Sequence, residues 1–144
     1  MKINDRYLSI LLGTVIVILL ITQCHRQVKE HLLQDDPMLD HLRLILVDVH
    51  PIVSQLKLYK ADKSYTLNKE KVFLCLKDGN GNYYSLNMLI YVSLHEIAHV
   101  LCESQGHTQE FYQIFDGLLK EAKHQGVYTD EIPQVKNYRG SSES

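Results

Sequence analysis

Residues Tyr7–Cys24 (YLSILLGTVIVILLITQC) contain no charged side chain and are bracketed by Arg6 and Arg26. As a helix this run is about 27 Å long, close to a bilayer core of about 30 Å. A core helix of a small domain normally keeps a polar stripe, and this one has none. The run is therefore expected to be a retained membrane anchor over residues 7–24, preceded by a short N-terminal tail, 1–6. A cleaved signal peptide is the rival, because Lys2 and Arg6 would form a basic leader. Against cleavage, Thr22, Gln23 and Cys24 do not make a small-x-small site, and Gln before Cys is poor for lipoprotein processing. Lys2 and Arg6 nearly balance Arg26 and Lys29, so basic counts barely orient the helix. The acidic Glu30, Asp35 and Asp36 tilt the reading slightly toward a cytoplasmic N-terminus.

What remains of the 144 residues suffices for one small domain. Residues 25–36 are polar and read as a juxtamembrane stalk. Asp36-Pro37 supplies an N-cap followed by proline at the first helical position, and Leu39, Leu42, Ile45, Leu46 and Val49 recur at helical spacing. Strand-like segments follow at 58–60, 64–67 and 71–76. Asp78-Gly79-Asn80-Gly81 is a turn that would let Tyr83-Tyr84 pair back on the last of them. A nearly all-apolar helix over about 86–104, capped by Ser85 and stopped at Gln105-Gly106, belongs in the middle of the domain. Thr108 caps one more helix, with Phe111, Ile114, Phe115, Leu118, Leu119 and Ala122 on one face. The expectation is an α+β domain over residues 37–133 with a short antiparallel sheet, and a loose polar tail, 134–144.

The apolar central helix holds His95-Glu96-Ile97-Ala98-His99. A four-residue step puts both imidazoles on one face, where they can bind the same Zn²⁺. Glu96 is rotated away from the ligand pair and can reach a metal-bound water as general base. Two histidines and a glutamate buried unpaired would cost several kcal/mol, and a metal satisfies them. A third ligand is needed: His107, just after Gly106, is the first choice, with Asp116 or Glu121 as alternatives. Zinc held by three neutral imidazoles keeps its full charge, which suits hydrolysis of a carbonyl compound. Tyr112 and Tyr128 both lie downstream as candidate oxyanion stabilisers. The strand 72–76 is a candidate edge for pairing with an extended peptide. Formal net charge is −2, so no basic surplus favours a nucleic-acid partner. The three cysteines, Cys24, Cys75 and Cys102, do not make a disulfide framework. Were Cys102 to occupy a fourth metal position, zinc would be purely structural and the chain a binding or assembly protein.

HEIAHVLCESQGHTQEF resembles the HExxH, spacer, His-x-x-x-Phe pattern of the SprT-like and WLM-type zinc metallopeptidases. The wider run from Ser64 to Tyr128 is similar to the small WLM-related metallopeptidases of large DNA viruses. The resemblance implies that His95, His99 and His107 are zinc ligands, Glu96 the acid/base and Phe111 a packing residue. It also implies a minimal zincin-like core, a protein or peptide substrate and, with the anchor, a viral or host membrane location. Metzincins are excluded, because Cys102 and Gln105 stand where that class carries glycine and its third ligand. The DNA- and ubiquitin-related regions of cellular relatives have no counterpart in this sequence.

Overall fold

The computed structural model describes residues 4–130. The chain divides near Leu33 into two units. The first is one helix, α1 (Asp5–Gln34), none of whose residues is buried. It is long and apolar enough to cross a membrane, near the N-terminus, a description that a signal sequence or a soluble core helix also meets. The helix does not stop at Cys24: the segment read as a stalk continues it without a break, since residues 25–34 contain neither Gly nor Pro. The tail 134–144 and residues 131–133 lie outside the described residues, as do residues 1–3.

The second unit opens with α2 (Pro37–Val49). Asp36 caps it, its Oδ1 accepting from the Met38 amide at 3.0 Å and from the Tyr83 hydroxyl at 2.9 Å. Leu39, Leu42, Leu46 and Val49 are its buried face. A short 3-10 helix, Pro51–Gln55, follows. The Arg43 guanidinium straps it down by donating to the carbonyls of Val53 and Leu56. Then come β1 (Lys57–Lys60), β2 (Tyr65–Leu67) and β3 (Lys71–Leu74).

The sheet is not antiparallel throughout. Its order is β1-β3-β2, with β3 antiparallel to β2 and parallel to β1. Two reversals of the chain make β1 and β3 run the same way. β3 lies at the centre with Val72 and Leu74 buried, and β2 lies at an edge with Tyr65 and Leu67 exposed. The segment proposed as a peptide-binding edge is therefore the middle strand, and β2 holds the free edge beside the central helix. β3 also ends early, at Leu74, where the Cys75 amide turns to the Ser64 hydroxyl. Tyr83 makes only a single bridge to Lys77, and the Tyr84 amide donates to Leu76.

Ser85 caps α3 (Leu86–Leu101), which is buried over most of its circumference. It ends three residues before the expected Ser104, with the Cys102 amide still bonded to the Ala98 carbonyl. The loop 102–108 leads to α4 (Gln109–His124), capped by Thr108 and packed through Phe111, Phe115, Leu118 and Ala122. The core lies among the sheet, α2, α3 and α4. Beyond α4, Asn87 clamps Thr129 with two hydrogen bonds, 2.9 and 3.0 Å, holding the buried Tyr128 against α3.

Candidate metal centre

His95 and His99 stand one turn apart on α3, and the loop 102–108 swings His107 back onto them. Gly106, at φ +78°, makes the reversal that a side chain would resist. The loop is stitched locally. The Cys102 thiol and Ser104 hydroxyl are 3.1 Å apart, the Ser104 and Thr108 hydroxyls 2.6 Å, and the Glu103 amide donates to Glu110. From the sheet side, the Lys69 ammonium donates to the Cys102 carbonyl at 2.6 Å. Phe111, fully buried, forms the floor. Its ring lies 4.3 Å from His99, stacked, and 4.9 Å from both His95 and His107.

The Nε2 atoms of the three histidines converge, at 3.1 Å between His95 and His107 and 3.2 Å between His99 and His107. A tetrahedral ion with bonds of 2.0–2.1 Å would hold its nitrogens about 3.3 Å apart. Each Nε2 has one in-plane direction in which to give or take a hydrogen bond, so His107 cannot satisfy both neighbours. One cation at the centre satisfies all three. Burial first, then the charges of His99 and His107, push His95 down to about 4. Burial, then His107, lowers His99 as well. Those two imidazoles are thus neutral at pH 7, the form a metal needs.

Glu96, on the same helix as His95 and His99, is 5% exposed and is tied to β2 through Thr66. The Thr66 hydroxyl lies 2.9 Å from its Oε2 and 3.0 Å from its backbone carbonyl. Burial pushes the Glu96 carboxyl up to about 7, and the Thr66 hydroxyl opposes that rise. A carboxyl near neutrality can both accept and return a proton at physiological pH.

Asp116 and Glu121, the alternative third ligands, do not join the three histidines, and neither does Cys102. Both acids are exposed, and Glu121 accepts from Gln125. Cys102 is fully buried beside Ser104, and no disulfide joins it to Cys75. Of the two tyrosines, Tyr112 is 52% exposed with its ring 6.2 Å from that of His107. Tyr128 is buried and packs on Tyr91, 6.1 Å between ring centres.

Tyr91 is the rim residue that reading the sequence missed. Its phenol is raised by burial, then by Tyr112 and Asp116, so these three side chains share one neighbourhood. Its position four residues before His95 was the available signal, since Tyr91, His95 and His99 form one row along α3.

No family model and no solved structure matches the chain. It is 49% identical over 98 residues to "Uncharacterized protein 136R" of Invertebrate iridescent virus 6, covering 66% of this chain and 55% of that protein. With "Uncharacterized protein 042R" of Invertebrate iridescent virus 3 it shares 46% over 88 residues, 60% and 55% of the two chains. "Uncharacterized protein R325" of Acanthamoeba polyphaga mimivirus is 39% identical over 67 residues, 45% of this chain and 34% of that one. The chain thus has viral homologues and spans about half the length, or less, of these curated relatives.

Proposed function

We propose that this protein is a zinc metallopeptidase of the SprT-like or WLM type, held by its N-terminal helix to a viral or host membrane, where it hydrolyses peptide bonds. The observation that carries the reading is the convergence of three Nε2 atoms, His107 lying 3.1–3.2 Å from the other two, beside a buried carboxyl raised to about 7. Bound zinc would supply a Lewis acid and a water acidified toward neutrality. His95, His99 and His107 would hold it, while Phe111 fixes their rings. Thr66 holds Oε2 of Glu96, leaving Oε1 to take a proton from the attacking water and pass it to the leaving amine. Tyr91 and Tyr112 would be the candidates to bind a developing oxyanion, ahead of Tyr128, which is buried against Tyr91.

The competing reading is a non-catalytic membrane protein with structural zinc. A structural site closes its coordination sphere with a fourth protein ligand. Among the described residues no fourth His, Cys, Asp or Glu joins the three, which favours catalysis.

The test uses the purified full chain. One zinc per chain is expected, with hydrolysis of unstructured protein substrates that stops on chelation and returns with zinc. Glu96→Gln should keep the zinc and lower the rate at least about a hundredfold, the usual reach of a general base. Unchanged hydrolysis in Glu96→Gln, or no zinc in the folded protein, would overturn the proposal.

A further inference from the structure

On the side of the sheet opposite α3, the strand register aligns Tyr59, Phe73 and Tyr65 in one row across all three strands. Their rings stack. Tyr59 and Phe73 are 4.8 Å apart and 16° from parallel, and Phe73 and Tyr65 are 4.5 Å apart and 7° from parallel. The row is closed at one end, where Tyr59 is 1% exposed, and open at the other, where Tyr65 is 41% exposed. That open end is the free edge of β2, and the next residue, Thr66, holds Glu96.

We propose that Tyr65 forms a specificity subsite for an aromatic side chain, carried by an extended peptide that pairs with the edge of β2. This deepens the peptidase reading and takes the identity of the ligand from it. The spacing is the reason. Neighbouring strands lie about 4.7–4.9 Å apart, and the stacked rings repeat at nearly that distance. A strand added to β2 therefore brings the side chain opposite Tyr65 to stacking distance in the same conformation that Phe73 and Tyr65 already use. An aromatic ring there extends the stack from three rings to four and covers the exposed face of Tyr65. An aliphatic side chain covers less of it, and a small polar one leaves it wet. Alternation along a strand sends the next side chain to the opposite face, toward α3 and the histidines, so one peptide meets both the subsite and the metal centre.

The experiment measures binding separately from hydrolysis. The full-length Glu96→Gln chain, in lipid nanodiscs with zinc, is titrated with labelled ten-residue Thr/Ser peptides bearing one Phe moved position by position. One Phe position is expected to bind about fivefold tighter than the Phe-free parent. Tyr65→Thr, which keeps a strand-forming side chain, should abolish that difference, and Tyr65→Phe should retain it. Equal binding of all peptides, or a preference that survives in Tyr65→Thr, would overturn the subsite. So would self-association of the full chain that Tyr65→Thr abolishes, because the edge would then be an interface between copies. If the wild-type chain hydrolyses nothing while the Phe preference is present, the peptidase reading fails and the subsite stands. Hydrolysis without the preference overturns the subsite and leaves the peptidase reading standing.

Discussion

At the residue scale the proposed chemistry turns on the pairing of Glu96 with Thr66. A hydroxyl donated to a carboxylate favours the charged form, so Thr66 holds Glu96 lower than burial alone would. Thr66→Val keeps the shape and removes the donor. The acidic limb of the kcat/KM profile should then move to higher pH, with the rate above the limb little changed. An unmoved limb would mean that Glu96 is not the group titrating. The same displacement has a consequence for the stability of the metal-free protein. Because the folded Glu96 titrates above its ordinary value of 4.5, its favourable contribution is present below pH 4.5 and is lost as the pH climbs through 7. His95, lowered to about 4, acts in the opposite sense, withdrawing stability as the pH falls below 6.5. Spacing made the row His95–His99 legible in the sequence, because four residues on a helix always share a face. Thr66 lies thirty residues from Glu96, on another element, and no local pattern announces such a contact.

At the element scale the site depends on how α3 ends. Asn68 and Lys69, both in the left-handed region at φ +52° and +56°, turn β2 into β3. That turn delivers the Lys69 ammonium to the Cys102 carbonyl, the first acceptor beyond the helix. A cation at a helix C-terminus also meets the negative end of its dipole. Lys69→Met should leave the helices intact, lower stability by about 1 kcal/mol, and weaken zinc binding by loosening the loop that carries His107. Zinc titration and thermal melts on the same sample would check this, and unchanged zinc affinity would show that the loop holds itself. Element boundaries governed by local chemistry were readable: Asp36, Ser85 and Thr108 each cap the helix expected of them. The early stop at Leu101 and the position of β3 between its neighbours were not. Both involve partners distant in sequence, a lysine from a hairpin in one case and the pairing of β3 with both β1 and β2 in the other.

For the whole molecule, the question is what an unburied apolar helix does for a domain that carries a candidate metal centre. The large apolar side chains of α1 are exposed all along it, from Val15 at 45% to Tyr7 at 70%, a surface that water tolerates poorly. A retained anchor and a cleaved leader both account for it, but they leave different masses. Expressed in cells with a membrane fraction, the chain should remain at 16.7 kDa, sediment with membranes and resist alkaline extraction. A shorter, soluble product would establish a leader instead. Val17→Arg, near the middle of the run, should oppose insertion by about 2.5–3.5 kcal/mol and move a measurable fraction to the supernatant without altering zinc content. Loss of zinc along with the membrane would mean that the two units fold together. Retention of zinc by the displaced chain would show that the anchor acts only on location. Substrates would then be selected twice, by presence at the membrane and by a side chain that fits the end of the Tyr59–Phe73–Tyr65 stack.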